Sequence, residues 1–240
     1  MYRSEKPKDG SKTDKTTHAN KAVPRAEGLS TQWRIDTWFA DLSLETRVQL
    51  KGLHAELLEA NKSVNLISVK TIGQADAIHF ADSILASKAI FNSGKFDEIF
   101  DFGSGNGFPG LVFAILYPKV KVHLVELDLR KAEYLKTAIS KLKIVNADVM
   151  VRAIETLPNA SVKVGMSRGL ASISKSILMT RKVFARGGKY FHLKSEEWVS
   201  EISAIPTQLC SFWTPGLVSE YKLPVGEVKF AVVKTDKISD

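Results

Sequence analysis

Asp101-Phe-Gly-Ser-Gly-Asn-Gly-Phe-Pro-Gly110 is the stretch that decides the fold. An apolar run over Glu98–Phe102 leads into it, and a run of helix-forming apolar residues over 111–116 leads out. A buried strand, a tight turn and a helix are therefore expected in that order. Gly103, Gly105 and Gly107 permit a turn in which a ligand approaches bare backbone. The free N–H groups at the start of the next helix favour a carboxylate or a phosphate. Pro109 suits a first helical turn, where a missing N–H costs little.

Two registers compete for this turn. Gly105-x-Gly107-x-x-Gly110 matches the dinucleotide fingerprint, which holds a pyrophosphate. The other register begins with an acid at the strand end, Asp101, two residues before Gly103. A carboxylate there suits the cationic, amine-bearing methionine part of S-adenosylmethionine and repels a diphosphate. Glu126, at the end of the next apolar run, can accept both ribose hydroxyl protons in either cofactor. Asp101 thus decides for an S-adenosylmethionine turn. A purely structural turn is the third reading, weakened by the conformational entropy that so many glycines cost.

Outward from the turn, strands are expected at 121–126, 148–152, 162–167 and 189–193, with helices at 129–142 and 173–184. Alternation at this spacing implies right-handed crossovers and a parallel sheet covered on both faces. Two last strands, 209–213 and 228–234, would form an antiparallel edge. The expected fold is a doubly wound, mostly parallel Rossmann-like α/β sheet of the class I methyltransferase type. An N-terminal helical extension precedes it. Residues 1–28 read as a disordered basic tail, 29–92 as the helical segment and 93–240 as the cofactor-binding core. The last two form one domain. Ser43 is the expected N-cap of a helix carrying Leu44, Val48, Leu53, Leu57 and Leu58.

The 240 residues are 44% hydrophobic and 25% charged, enough for one packed core. One cysteine, Cys210, excludes an intrachain disulfide, and five scattered histidines give no metal-ligand spacing. No run approaches a membrane span, and the polar start lacks a signal peptide's apolar centre. A cytoplasmic, monomeric protein without metal is expected. A net charge of +8 favours polyanionic partners or merely serves solubility.

With these motifs in place, the chain resembles the RsmG (GidB) family of bacterial methyltransferases. Five blocks in order carry the resemblance: Asn65-Leu-Ile-Ser, His79-Phe-Ala-Asp-Ser83, the 101–110 turn, Ser167-Arg-Gly-Leu-Ala-Ser172 and Gly187-Gly-Lys-Tyr-Phe-His-Leu-Lys194. It covers roughly residues 33–235. It implies methyl transfer from S-adenosylmethionine to guanine N7 in the 530 loop of 16S ribosomal RNA, alone or in the small subunit. By the same resemblance, Gly103, Ser104, Gly105, Gly107 and Phe108 belong to the cofactor turn and Glu126 binds ribose. Ala153 and Ile154 face adenine, and Arg168 stands beside cofactor and substrate. Lys194, Asn65, His79, Asp82 and Ser83 surround the same pocket. The chain departs from the family pattern at Ile78, Ile154, Ser195 and around Glu227.

Guanine N7 already has a free lone pair, so the implied reaction needs positioning and no general base. Arg168 and Lys194 are the expected hydrogen-bond donors to guanine O6. Phe108 and Phe80 are candidate stacking faces for a base drawn out of its stack, with core packing the ordinary alternative for Phe80. His79 is either catalytic or a brace bonded to backbone or Asp82. The rival readings are a non-catalytic, cofactor-binding ribosome-associated protein and an NAD-dependent oxidoreductase.

Overall fold

The computed structural model describes residues 31–239. The expectation of a disordered tail over 1–28 lies outside them. Short helix α1 (Ile35–Trp38) leads to α2 (Leu44–Ala60). The Ser43 side chain accepts the Thr46 N–H at 3.1 Å, so α2 starts at its expected cap. Leu50, Leu53 and Leu57 are fully buried along one face, each contributing about 2–3 kcal/mol of transfer free energy. Leu44 and Val48, expected in that stripe, are exposed instead. They lie on the first turns, before α2 meets the core.

After α3 (Val69–Ile72) the chain makes a π-helical turn over Asp76–Ala81 and continues as α4 (Asp82–Asn92). Asp76 is completely buried, and its carboxylate receives the Arg34 backbone N–H and Nε at 2.9 Å and Nη2 at 2.8 Å. The wide turn is thus clamped from the N-terminal segment. Such turns project side chains that a regular helix would not; here the projected residue is His79.

The remainder alternates: β1 (Glu98–Phe102), α5 (Gly110–Leu116), β2 (Lys121–Glu126), α6 (Leu129–Lys141), β3 (Ala147–Val151), β4 (Val162–Arg168), α7 (Ile173–Thr180) and β5 (Phe184–Ser195). Two short helices, α8 (Trp198–Ser203) and α9 (Thr207–Cys210), precede β6 (Trp213–Lys222) and β7 (Lys229–Lys237). The seven strands lie in the order β3-β2-β1-β4-β5-β7-β6. The first five run parallel, while β7 pairs antiparallel with both β5 and β6. A doubly wound sheet with an antiparallel edge is what the alternation predicts.

Two local expectations need correcting. Residues 209–213 are not a strand: Thr207–Cys210 is helical, and the strand begins at Trp213. The expected helix over 173–184 stops at Thr180, because Phe184 is buried as the first residue of β5.

One face of the sheet packs against α2, α4 and α5 in a single apolar cluster that includes Leu50, Leu53, Ile84, Leu111, Leu124 and Phe191. The helical segment therefore shares its core with the sheet. A second cluster around Phe102, Ile177, Phe184 and Trp213 fills the other face. Among the described residues no helix is long and apolar enough to cross a membrane, and no group of three His, Cys, Asp or Glu could hold a metal.

Candidate active site

The 101–110 turn sits at the C-terminal end of β1, where open α/β sheets bind ligands. Gly103, Gly105 and Gly107 adopt φ of 67°, 54° and 87°, a left-handed conformation that glycine alone adopts readily. A Cβ on Gly107 would meet Leu111 Cδ1 at 2.6 Å, whereas one on Gly105 would meet nothing closer than 3.6 Å. Gly105 is thus the open lip of the turn, and Gly107 is packed into its base.

Asp101, the acid that leads the turn, is buried beneath it, at 1% exposure. Oδ2 accepts the Gly110 N–H at 3.1 Å, and Oδ1 has no hydrogen-bond partner among the described residues. Burial pushes the carboxyl up to about 7, against the opposing pull of neighbouring hydrogen bonds and of Arg168. Ser104 is equally buried, its hydroxyl donating to the Asp101 carbonyl at 2.8 Å.

Glu126 ends β2 beside the turn. Its Oε2 accepts Gly105 N–H at 2.7 Å and Oε1 accepts Asp128 N–H at 2.8 Å. Two carboxylate oxygens carry about four lone-pair sites, so acceptor capacity remains. Ala153 caps the 3-10 turn Ile154–Thr156 that follows β3, on the same sheet edge; the Ile154 side chain is buried.

Arg168 ends β4. Its Nη1 donates to Ile78 O at 3.2 Å and to Asp82 Oδ2 at 3.0 Å, and Nη2 lies 3.1 Å from His79 Nδ1. The guanidinium carbon lies 5.5 Å from the Phe108 ring centroid. Arginine has five N–H donors, so three are engaged by the chain and two remain. Asp82 is itself held by Tyr221, whose hydroxyl donates to Oδ1 at 2.7 Å. Burial, then the Arg168 charge, lowers the His79 pKa to about 3. His79 is therefore neutral, and with Arg168 donating to Nδ1 its proton resides on Nε2.

These residues line a cleft of about 380 Å³ that includes Ile78, His79, Asp82, Arg168, Lys194 and Phe230. Lys194 is not open to a base as expected. It donates to Ala171 O at 2.7 Å and forms an ion pair with Glu201 at 2.8 Å. Glu201 also accepts the Ile173 N–H at 2.8 Å, so the pair fastens the loop after β4 to the start of α7. Phe80 is fully buried in edge contact with Trp33, His54 and Phe108. Phe108 is 2% exposed, covered by Arg168 and His79. Neither ring offers a free face. Asn65 is exposed and lies outside the cleft, and the buried Ser83 hydroxyl has no hydrogen-bond partner among the described residues.

Sequence reasoning missed Tyr221, Glu201 and Phe230. Phe230 is the half-buried aromatic of the cleft, stacked on Tyr221 at 6.0 Å between centroids. The apolar run of 230–233 was visible as a strand, but its partner across the hairpin was not.

The buried ionisable groups make stability depend on pH. His79 and His192 both have pKa values lowered to about 3, below the unfolded 6.5, with burial the leading cause. Between pH 6 and 4.5 each binds a proton in the unfolded chain only, so their contribution, complete above pH 6.5, is lost as pH falls. Asp101, raised to about 7 from 3.8, binds one proton more in the folded chain and opposes them. The balance is one proton, or a loss of about 1.4 kcal/mol per pH unit. His54, also lowered by burial, acts in the same direction. Urea midpoints are expected to fall from pH 6 to 4.5, and His192→Gln to flatten the decline. A constant midpoint across that range would contradict this.

Comparison with known proteins decides the family. The model of the rRNA small subunit methyltransferase G (GidB) family matches residues 46–212. The chain belongs to this family. It is 60% identical over 208 residues to a ribosomal RNA small subunit methyltransferase G 3 of Bdellovibrio bacteriovorus, covering 86% of this chain and 94% of that protein. A ribosomal RNA small subunit methyltransferase G of Paracoccus denitrificans is 31% identical, covering 68% and 83%. Among solved structures, a SAM-dependent methyltransferase from Aquifex aeolicus matches with a TM-score of 0.52 at 15% identity, over 70% of this chain and 98% of that one. That likeness concerns the fold, and it agrees with a sheet of the class I methyltransferase type.

The residues present fit the family's cofactor, S-adenosylmethionine. An unpartnered buried carboxylate oxygen lies under the glycine turn, Gly105 leaves backbone open, and Glu126 keeps spare acceptor capacity. A diphosphate would meet two carboxylates here.

Proposed function

We propose that the chain transfers a methyl group from S-adenosylmethionine to N7 of a guanine in the 530 loop of 16S ribosomal RNA. When bound, the cofactor supplies an electrophilic methyl group. Gly103, Gly105 and Gly107 give it backbone to lie against, and Asp101 receives its ammonium end. Glu126 accepts from the ribose, and the backbone of Ala153 and Ile154 borders the adenine.

One observation carries the choice of N7: no group in the cleft is set to take a proton. His79 Nδ1 accepts from Arg168, and its basicity is suppressed to about 3. Both Asp82 oxygens are engaged, by Tyr221 and Arg168, and so are both Glu201 oxygens, by Lys194 and the Ile173 N–H. Lys194 and Arg168 are cations. Such a cleft suits a nucleophile whose lone pair is already free. Arg168 uses its two remaining donors to hold guanine O6, and its fixed posture supplies positioning. Lys194 acts one step away, by holding the 169–172 loop. Phe230 offers the extruded base an aromatic face.

The test uses small-subunit RNA from cells lacking the protein and cofactor labelled in the methyl group. Label is expected on guanine, and RNA carrying 7-deazaguanosine in place of guanosine should accept none. Undiminished transfer to the deaza RNA would exclude N7.

A further inference from the structure

Opposite the candidate active site, at the N-terminal ends of the strands, lies a second cleft of about 510 Å³. Lys95, Lys121, Lys163, Arg186 and Lys189 line it, against only Asp97 and Glu98. Lys121 is answered by Asp148 at 3.0 Å, and Glu98 is turned toward His123 at 3.4 Å. The side chains of Lys95, Lys163 and Lys189 have no hydrogen bond or ion pair among the described residues. Arg186 is tethered through Nε to Ile238 O at 3.1 Å, which orients the guanidinium while its Nη groups stay uncommitted. Gly187, at φ 79°, leaves open backbone beside it. Cations gathered in one concavity repel one another, and the folded chain brings too few acids to relieve them. Their natural complement is a run of phosphates.

We propose that this cleft is a second RNA-binding site that grips the phosphodiester backbone of the substrate away from the target base. The proposal rests on the reading of the substrate as ribosomal RNA. Lys163 and Arg168 stand five residues apart on β4, as do Lys189 and Lys194 on β5, so the two sites are about 17 Å apart. A folded RNA reaches across that distance readily. The cleft then supplies affinity without reading sequence, and the Arg168 site supplies the chemistry.

The test compares the full chain with a Lys95→Gln, Lys163→Gln, Lys189→Gln variant and with a control variant Lys51→Gln, Lys70→Gln, Lys136→Gln. Binding to small-subunit RNA is measured as a function of salt, and S-adenosylmethionine affinity by calorimetry reports that each variant is folded. The cleft variant should bind RNA at least tenfold more weakly, with a log–log salt slope shallower by about two to three. The control and cofactor affinity should be unchanged. RNA binding equal to wild type, or an equal loss in the control, would overturn the proposal. So would saturable binding of inorganic phosphate that the cleft variant loses while its RNA affinity stays intact. Methyl transfer, assayed in parallel, reports separately on the reaction: a wild type that binds RNA through the cleft without methylating it would refute that reading alone.

Discussion

Replacing Arg168 by alanine is expected to lower kcat/KM for RNA methylation by about 10²- to 10³-fold, the usual cost of losing one pre-organised donor. The effect should fall on the RNA substrate and leave S-adenosylmethionine affinity within a few-fold of wild type, because the hydrogen-bond partners of Arg168, which are Ile78, His79 and Asp82, lie outside the glycine turn. Asp82 keeps its Tyr221 hydrogen bond in the variant, so the network loosens without collapsing. The buried carboxylate nevertheless loses its counter-charge, and a stability loss on the order of 3 kcal/mol accompanies the change. Arg168→Lys should recover stability better than rate, since an ammonium lacks the planar fork that reaches Ile78 O, Asp82 and His79 together. Equal activity of wild type and alanine variant, in protein that still binds cofactor, would remove Arg168 from the mechanism.

The second large effect is expected at Asp101. Asp101→Asn keeps the size of the side chain and an acceptor for the Gly110 N–H, but removes the charge. A carboxyl raised from 3.8 to about 7 stores about 4 kcal/mol when ionised above pH 7. The asparagine variant should therefore be more stable than wild type at pH 8. It should also bind S-adenosylmethionine about 10- to 100-fold more weakly, the worth of one charge-assisted hydrogen bond. S-adenosylhomocysteine, which carries the same ammonium, should lose as much, and methylthioadenosine, which lacks it, should lose little. Asp101→Ala adds an unpaired buried N–H at Gly110 and should lose stability as well. Calorimetry with the three ligands checks this; equal losses for all three would mean that Asp101 shapes the turn and takes no part in binding the amino acid end.

These contrasts follow how information is distributed along the chain. The glycine turn, the strands before and after it and the cap at Ser43 are set by neighbours within a few residues, and the sequence displays them openly. The π-helical turn over Asp76–Ala81 is different. It depends on Arg34, 42 residues earlier, reaching Asp76, and no local period announces it. Asp82 and Tyr221 meet across 139 residues. Lys194 stands only seven residues from Glu201, yet the pairing forms because α8 folds back over the strand end. Strand β6 was hidden for another reason. Pro215 and Gly216 argue against a strand interior, but β6 is the outermost strand of the sheet and tolerates them. Asp101 was legible as the deciding residue, whereas its burial and the division of labour between its two oxygens needed the folded chain.

The central claim is that a base-free cleft beside an acid-led glycine turn methylates guanine N7 of small-subunit RNA. Mass mapping of the modified nucleosides in that RNA, from cells with and without the protein, tests it most directly. The account predicts that a single 7-methylguanosine in the 530 loop disappears when the protein is absent and returns with wild type but not with Arg168→Ala. An unchanged map, or loss of a methyl group from any other atom, would contradict it.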